Sequence, residues 1–96
     1  MKAIVSYDVS TVDPGGPVRL RKVAKTCKSY GVRVQYSVFE CSVTEKEWLL
    51  LRKKLLATID CSLDSVRVYF LSADDAQKTE HHGVRKPLDP NGPLIV

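Results

Sequence analysis

The 96-residue sequence predicts an α+β fold, a ferredoxin-like sandwich of order β-α-β-β-α-β with an added C-terminal strand. Three observations lead there. Residues 2–9 and 65–71 alternate apolar positions at the period of a strand. Residues 17–30 and 45–58 repeat them at helical spacing. A further β-branched, aromatic run, residues 32–43, lies between the two helices.

Residues 2–9 (KAIVSYDV) place Ala3, Val5, Tyr7 and Val9 on one face and Ile4, Ser6 and Asp8 on the other. Neither face is simply polar, so both are expected to be covered. Residues 10–17 (STVDPGGP) form a loop of turn formers, and Pro17 suits the first position of a helix, where its missing N–H costs nothing. From 17 to 30, Leu20, Val23, Ala24, Cys27 and Tyr30 share one side. Arg21, Lys22, Lys25 and Lys28 fall opposite, with Arg19 at the border. Gly31 is placed to end the helix in a left-handed conformation.

Residues 32–43 (VRVQYSVFECSV) exceed the usual strand length, and one bent strand or two short ones both fit. Thr44 and Glu47 make a capping box that starts a helix at 45, reaching 58. Trp48, Leu49, Leu51, Leu55, Leu56 and Ile59 form its broad apolar side. Arg52 projects into the same arc and either snorkels or pairs with a carboxylate. In 65–71, Val66, Val68 and Phe70 alternate with Arg67, Tyr69 and Leu71. Residues 72–87 show no apolar periodicity and read as a surface connection. Asp89-Pro90-Asn91-Gly92 signals a turn, and the apolar ending Leu94-Ile95-Val96 reads as a strand that docks on something. The expected organisation is one domain over 1–78 and a C-terminal arm over 79–96. The sheet face without helices points to a second copy, a symmetric homodimer through the sheet faces.

Composition excludes several classes. Hydrophobic residues make up 44% and charged residues 27%, ordinary for a soluble globular domain and unlike a collagenous or disordered chain. No apolar run is long enough to span a bilayer, and Met1–Tyr7 reads as a strand rather than a signal peptide, so the expected location is the cytoplasm with no membrane partner. The three cysteines, Cys27, Cys41 and Cys61, are odd in number and fit no zinc spacing; Cys27 and Cys61 are expected to fill space. The adjacent His81 and His82 read as solvated rather than metal-binding. The net charge of +4 is unevenly spread. Residues 1–36 hold seven basic side chains against two acidic, the rest eight against nine, and no acid occurs between residues 14 and 39. A one-sided basic surface fits a polyanion.

The sequence holds no nucleophile–base motif and no glycine-rich phosphate loop. Asp8 stands out because it ends the first strand beside a loop, where functional side chains often project. Either it caps that loop through backbone hydrogen bonds, or it holds a metal. A two-fold axis would bring two copies together. Arg33, Gln35, Ser37 and Phe39 would line one strand face, suited to phosphates and a stacked base or to an interface between copies.

Tyr7-Asp8-Val9, the Arg-rich helix closing at Tyr30-Gly31, the run RVQYSVFE from Arg33 to Glu40, and DSVRVY from Asp64 to Tyr69 together resemble the CRISPR-associated protein 2 family. The likeness covers most of residues 1–72. It implies a ferredoxin-like fold and a homodimer in which the C-terminal strand packs on the partner's sheet. It also implies work beside a larger integrase in spacer acquisition, an antiviral defence. By resemblance Asp8 is the catalytic aspartate that meets its dimer mate at one shared Mg2+. Tyr7, Arg19, Arg33 and Phe39 fall around that cleft; apart from the resemblance, the basic helix face adds Arg21 and Lys25 as candidate nucleic-acid contacts. Two activities are implied: metal-dependent endonuclease cleavage of RNA or DNA, and a non-catalytic scaffold that grips duplex DNA between integrase subunits. The nucleic-acid partners implied are duplex DNA and single-stranded RNA.

Overall fold

The computed structural model describes residues 1–71 and 80–84. Its elements run β1 (Lys2–Asp8), α1 (Gly16–Tyr30), β2 (Gly31–Gln35), β3 (Val38–Ser42), α2 (Glu45–Thr58), β4 (Ser65–Phe70) and β5 (Glu80–Gly83). The sheet order is β2-β3-β1-β4-β5, and every neighbouring pair is antiparallel. The first four strands and two helices make the ferredoxin-like sandwich. β5 adds the fifth strand, beside β4.

The core follows the alternation. Ala3, Val5 and Tyr7 of β1, Phe39 and Cys41 of β3, and Val66, Val68 and Phe70 of β4 are buried. They pack with Val23 and Cys27 of α1 and with Trp48, Leu51 and Leu55 of α2 in one cluster. Trp48 meets Phe70 edge to face at 5.2 Å. α2 starts at the expected capping box: Thr44 Oγ1 accepts from Glu47 N at 3.1 Å, and Glu47 Oε1 accepts from Thr44 N at 2.9 Å. Leu49 departs from its expected place, being 57% exposed. α2 buries the narrow stripe Trp48–Leu51–Leu55, and Leu49 sits about 100° round the helix from Trp48.

The run 32–43 resolves into two strands joined at Tyr36–Ser37. Their pairing slips by one residue, with Arg33 opposite Phe39 but Gln35 opposite Val38. This bulge breaks the expected face of Arg33, Gln35, Ser37 and Phe39. Gly31 does not take a left-handed conformation; it is extended, with φ −164 and ψ −166. α1 passes straight into β2, and a β-carbon at residue 31 would collide with the Glu40 carbonyl oxygen and lie 2.7 Å from Cys41 Sγ. Close approach, not backbone hand, requires the glycine.

β5 occupies residues read from the sequence as irregular surface connection. Glu80-His81-His82-Gly83 has no β-branched residue, and its position comes from the ladder to β4 and from side chains of α2. Arg52 Nε donates to Glu80 Oε1 at 2.8 Å, which settles the partner of Arg52. His82 Nε2 lies 2.8 Å from the same oxygen. Gly83 has φ 99, and a β-carbon there would collide with the Asp64 carbonyl. The sheet thus takes in residues beyond 78. The rest of the expected arm, with the Asp89–Gly92 turn and the Leu94–Val96 strand, lies outside the described residues, as do residues 72–79 and 85–88.

Candidate functional site

β1 delivers two neighbouring side chains to opposite faces. Tyr7 points inward and is 4% exposed, while Asp8 is exposed at the strand's end, with its Cα opposite Ser65 of β4. Beside them lies a groove of about 400 Å³. β1 supplies Tyr7, Asp8 and Val9; α1 supplies Leu20, Arg21 and Ala24; the β2–β3 hairpin supplies Arg33, Tyr36 and Ser37.

Tyr7 ties the hairpin to β1. Its backbone N–H donates to the Ser37 carbonyl at 3.0 Å, and its hydroxyl donates to the Tyr36 carbonyl at 3.3 Å. Burial pushes the Tyr7 hydroxyl above its ordinary pKa, and the neighbouring Arg33 offsets part of that rise. The Tyr7 ring stacks on Phe39 with centroids 6.2 Å apart and planes 23° apart. The Arg33 guanidinium lies over the same Phe39 ring, 5.1 Å from its centroid. Phe39 itself is fully buried, opposite Val5 of β1. It therefore does not stack a base from solution, one of the two uses the sequence left open for that strand face; it supports Arg33 from beneath.

Arg19 also lies elsewhere than expected. Its Nη1 and Nη2 donate to Asp13 at 2.7 and 2.9 Å, and its Nε donates to Asp64 Oδ2 at 2.8 Å. The guanidinium is absorbed in holding the β1–α1 loop and does not line the groove. Asp64 is fully buried and also accepts from the N–H groups of Ser10 and Asp60, both at 2.9 Å. Burial alone would push its carboxyl up, but Arg19 and these N–H donors outweigh it and hold the carboxyl below its ordinary value. The basic surface near the groove belongs instead to Arg21, Lys25 and Arg33, all exposed. Arg21 lines the groove, and Lys25 follows it one turn along α1.

Sequence reasoning missed Tyr36. Alternation placed it with Val34 and Val38, yet it is 93% exposed at the hairpin tip. Position in a short connection between two strand-like runs was the signal available for it. The cysteines split differently from the expectation as well. Cys27 is buried and its thiol is pushed up to about 12, chiefly by burial; Cys61 is exposed and fills no space. Among the described residues, no group of three or more His, Cys, Asp or Glu side chains converges on a metal position. No helix among them is long and apolar enough to cross a membrane.

The profile of the family described as CRISPR associated protein Cas2 matches residues 1–79, the whole sandwich up to the residue before β5. The chain belongs to the Cas2 family. It is 50% identical, over all 96 residues, to the CRISPR-associated endoribonuclease Cas2 of Nitratidesulfovibrio vulgaris, covering 94% of that protein. It is 50% identical to the protein of the same name from Chlorobaculum tepidum, with all of both chains covered. Among solved structures it is similar to Streptococcus pyogenes Cas2, with TM-score 0.70 and 48% identity over 83% of this chain and 96% of that one. The span matched to the Cas2 family includes the Asp8 strand end, the Arg-bearing helix and the hairpin.

Proposed function

We propose that this protein is a metal-dependent endonuclease of CRISPR spacer acquisition, acting as a homodimer in the cytoplasm on RNA or DNA. The observation that carries the reading is Asp8, an exposed carboxylate at a strand end, beside a groove edged by Arg21 and Arg33. Two relatives that match the whole chain bear the name endoribonuclease.

Asp8 suits Mg2+, a hard ion that takes one or two protein carboxylates and keeps several waters, so a single donor from each subunit is a sufficient set. When bound, Mg2+ would stabilise the negative charge that builds on the phosphate during phosphodiester hydrolysis. The chain's own groups do the rest. Arg21 and Arg33 hold backbone phosphates. Phe39 fixes the guanidinium plane of Arg33, and Tyr7 fixes the hairpin that carries it.

Support for the dimer comes from the sheet face turned away from the helices. Val32, Glu40, Ile4 and Tyr69 form a cross-strand row on it, with Val32 70% and Tyr69 42% exposed. Arg67 and His81 are cross-strand neighbours on the same face, and Arg67 Nε and His81 Nδ1 are buried with no hydrogen-bond partner among the described residues. A second sheet docked there supplies apolar cover and acceptors.

A nuclease assay of wild type and Asp8→Ala, with and without Mg2+, tests the reading, with dimer mass measured by light scattering. Loss of Mg2+-dependent cleavage in a dimeric variant is the expected result; cleavage that persists in the pure variant refutes it. The second reading is a non-catalytic scaffold that grips duplex DNA between integrase subunits. The exposed row Arg21, Lys22, Lys25 and Lys28 on α1 favours it. It predicts salt-sensitive duplex binding with no cleavage in either protein.

A further inference from the structure

We infer that Tyr36 is the stacking platform for an unpaired nucleobase in the groove beside Asp8, a reading that rests on the nucleic-acid role proposed above. Tyr36 is 93% exposed, yet the hairpin tip is tied to β1 twice: the Ser37 carbonyl accepts the Tyr7 backbone N–H at 3.0 Å, and the Tyr36 carbonyl accepts the Tyr7 hydroxyl at 3.3 Å. A ring presented on a fixed hairpin tip loses little freedom when a base settles on it. The groove beside the tip is lined by the apolar residues Leu20 and Ala24, by two arginines, Arg21 and Arg33, and by one carboxylate residue, Asp8. Its volume of about 400 Å³ lies within the range of small-ligand sites. Aromatic face, apolar lining and arginines match a nucleotide: base on Tyr36, neighbouring phosphates on the arginines. A base within a duplex is stacked on its neighbours and paired, and reaches a protein ring only after extrusion, so the platform selects single strands.

Base binding needs no catalysis, whereas the position of Asp8 in the same groove gives it a role only under the nuclease reading. The test separates the two. Short labelled RNA and DNA single strands, and a blunt duplex, are titrated in EDTA with wild type, Tyr36→Ala and Tyr36→Phe, and binding is read by fluorescence anisotropy. Tyr36→Ala is expected to weaken single-strand binding between about fivefold and about 150-fold. Tyr36→Phe should bind as wild type does, and all three should bind the duplex alike. Unchanged single-strand affinity in Tyr36→Ala, an equal loss on duplex, or no single-strand binding by wild type overturns the proposal. Mg2+-dependent cleavage is followed in parallel. Unchanged binding with Asp8-dependent cleavage intact removes the platform and leaves the nuclease standing. Tyr36-dependent binding without cleavage supports the platform and removes the nuclease.

Discussion

Arg19 and Asp64 meet at 2.8 Å across 45 residues of sequence, the carboxylate fully buried and the guanidinium shared with Asp13. The pair joins the first turn of α1, and through Asp13 the loop before it, to the residue preceding β4, and so fixes the ground from which α1 presents Arg21 and Lys25. Removing one partner strands the other in a dry site, which costs far more than replacing both. Arg19→Ala is therefore expected to lower the thermal midpoint by about 10 °C or more. Asp64 has its pKa depressed in the folded state, so its contribution is present above the unfolded value of about 4 and is lost as pH falls through the lower folded value. The gap in midpoint between wild type and Asp64→Asn should accordingly be wide at pH 7 and shrink below pH 4. A gap independent of pH would contradict the assignment.

The same pairing divides the arginines by role. Arg21 and Lys25 are exposed, whereas Nε, Nη1 and Nη2 of Arg19 are already engaged with Asp13, Asp64 or the Ser10 carbonyl. On duplex DNA, Arg21→Ala and Lys25→Ala should each flatten the slope of log K against log salt by about 0.9. Measured where it is fully folded, Arg19→Ala should leave that slope unchanged.

Phe39 is a core residue, and its loss should show first in stability. Phe39→Ala is expected to cost about 3–5 kcal/mol in urea unfolding. The milder Phe39→Leu keeps most of the buried volume, but it removes the face under Arg33 and the stack with Tyr7. It should weaken nucleic-acid binding through Arg33 by less than Arg33→Ala does.

Thiol chemistry offers a simple check on packing. Cys61 is exposed, while Cys27 and Cys41 are buried with thiols held above their ordinary pKa by burial. A water-soluble maleimide should add one label to native protein, at Cys61, and the remaining two only in denaturant. Mass spectrometry reads both counts.

Where a structural cause is local, the sequence displays it. β1 and β4 alternate because one face is packed and the other is not, and the Thr44–Glu47 box marks its helix start within four residues. The features hidden from sequence depend on partners far along the chain. Arg19 reads as a surface cation until Asp64 is placed beside it, and Phe39 reads as a solvent-side aromatic until the bulge at Arg33–Gln35 rotates the pattern. β5 carries no strand propensity of its own and exists through β4 and Arg52. The exposure of Asp8 was legible from its place at a strand end; that of Tyr36 was not, because it depends on where the hairpin turns.

The hairpin is fastened by the carbonyls of Tyr36 and Ser37 and not by the Tyr36 ring. Side chain and scaffold are thereby uncoupled at this position. Residue 36 can be exchanged for tryptophan, for a photo-crosslinking amino acid or for a fluorophore without touching the bonds that order the tip. That makes it an interchangeable reading head, through which the contacts of this surface can be retuned or reported while the frame beneath stays as it is.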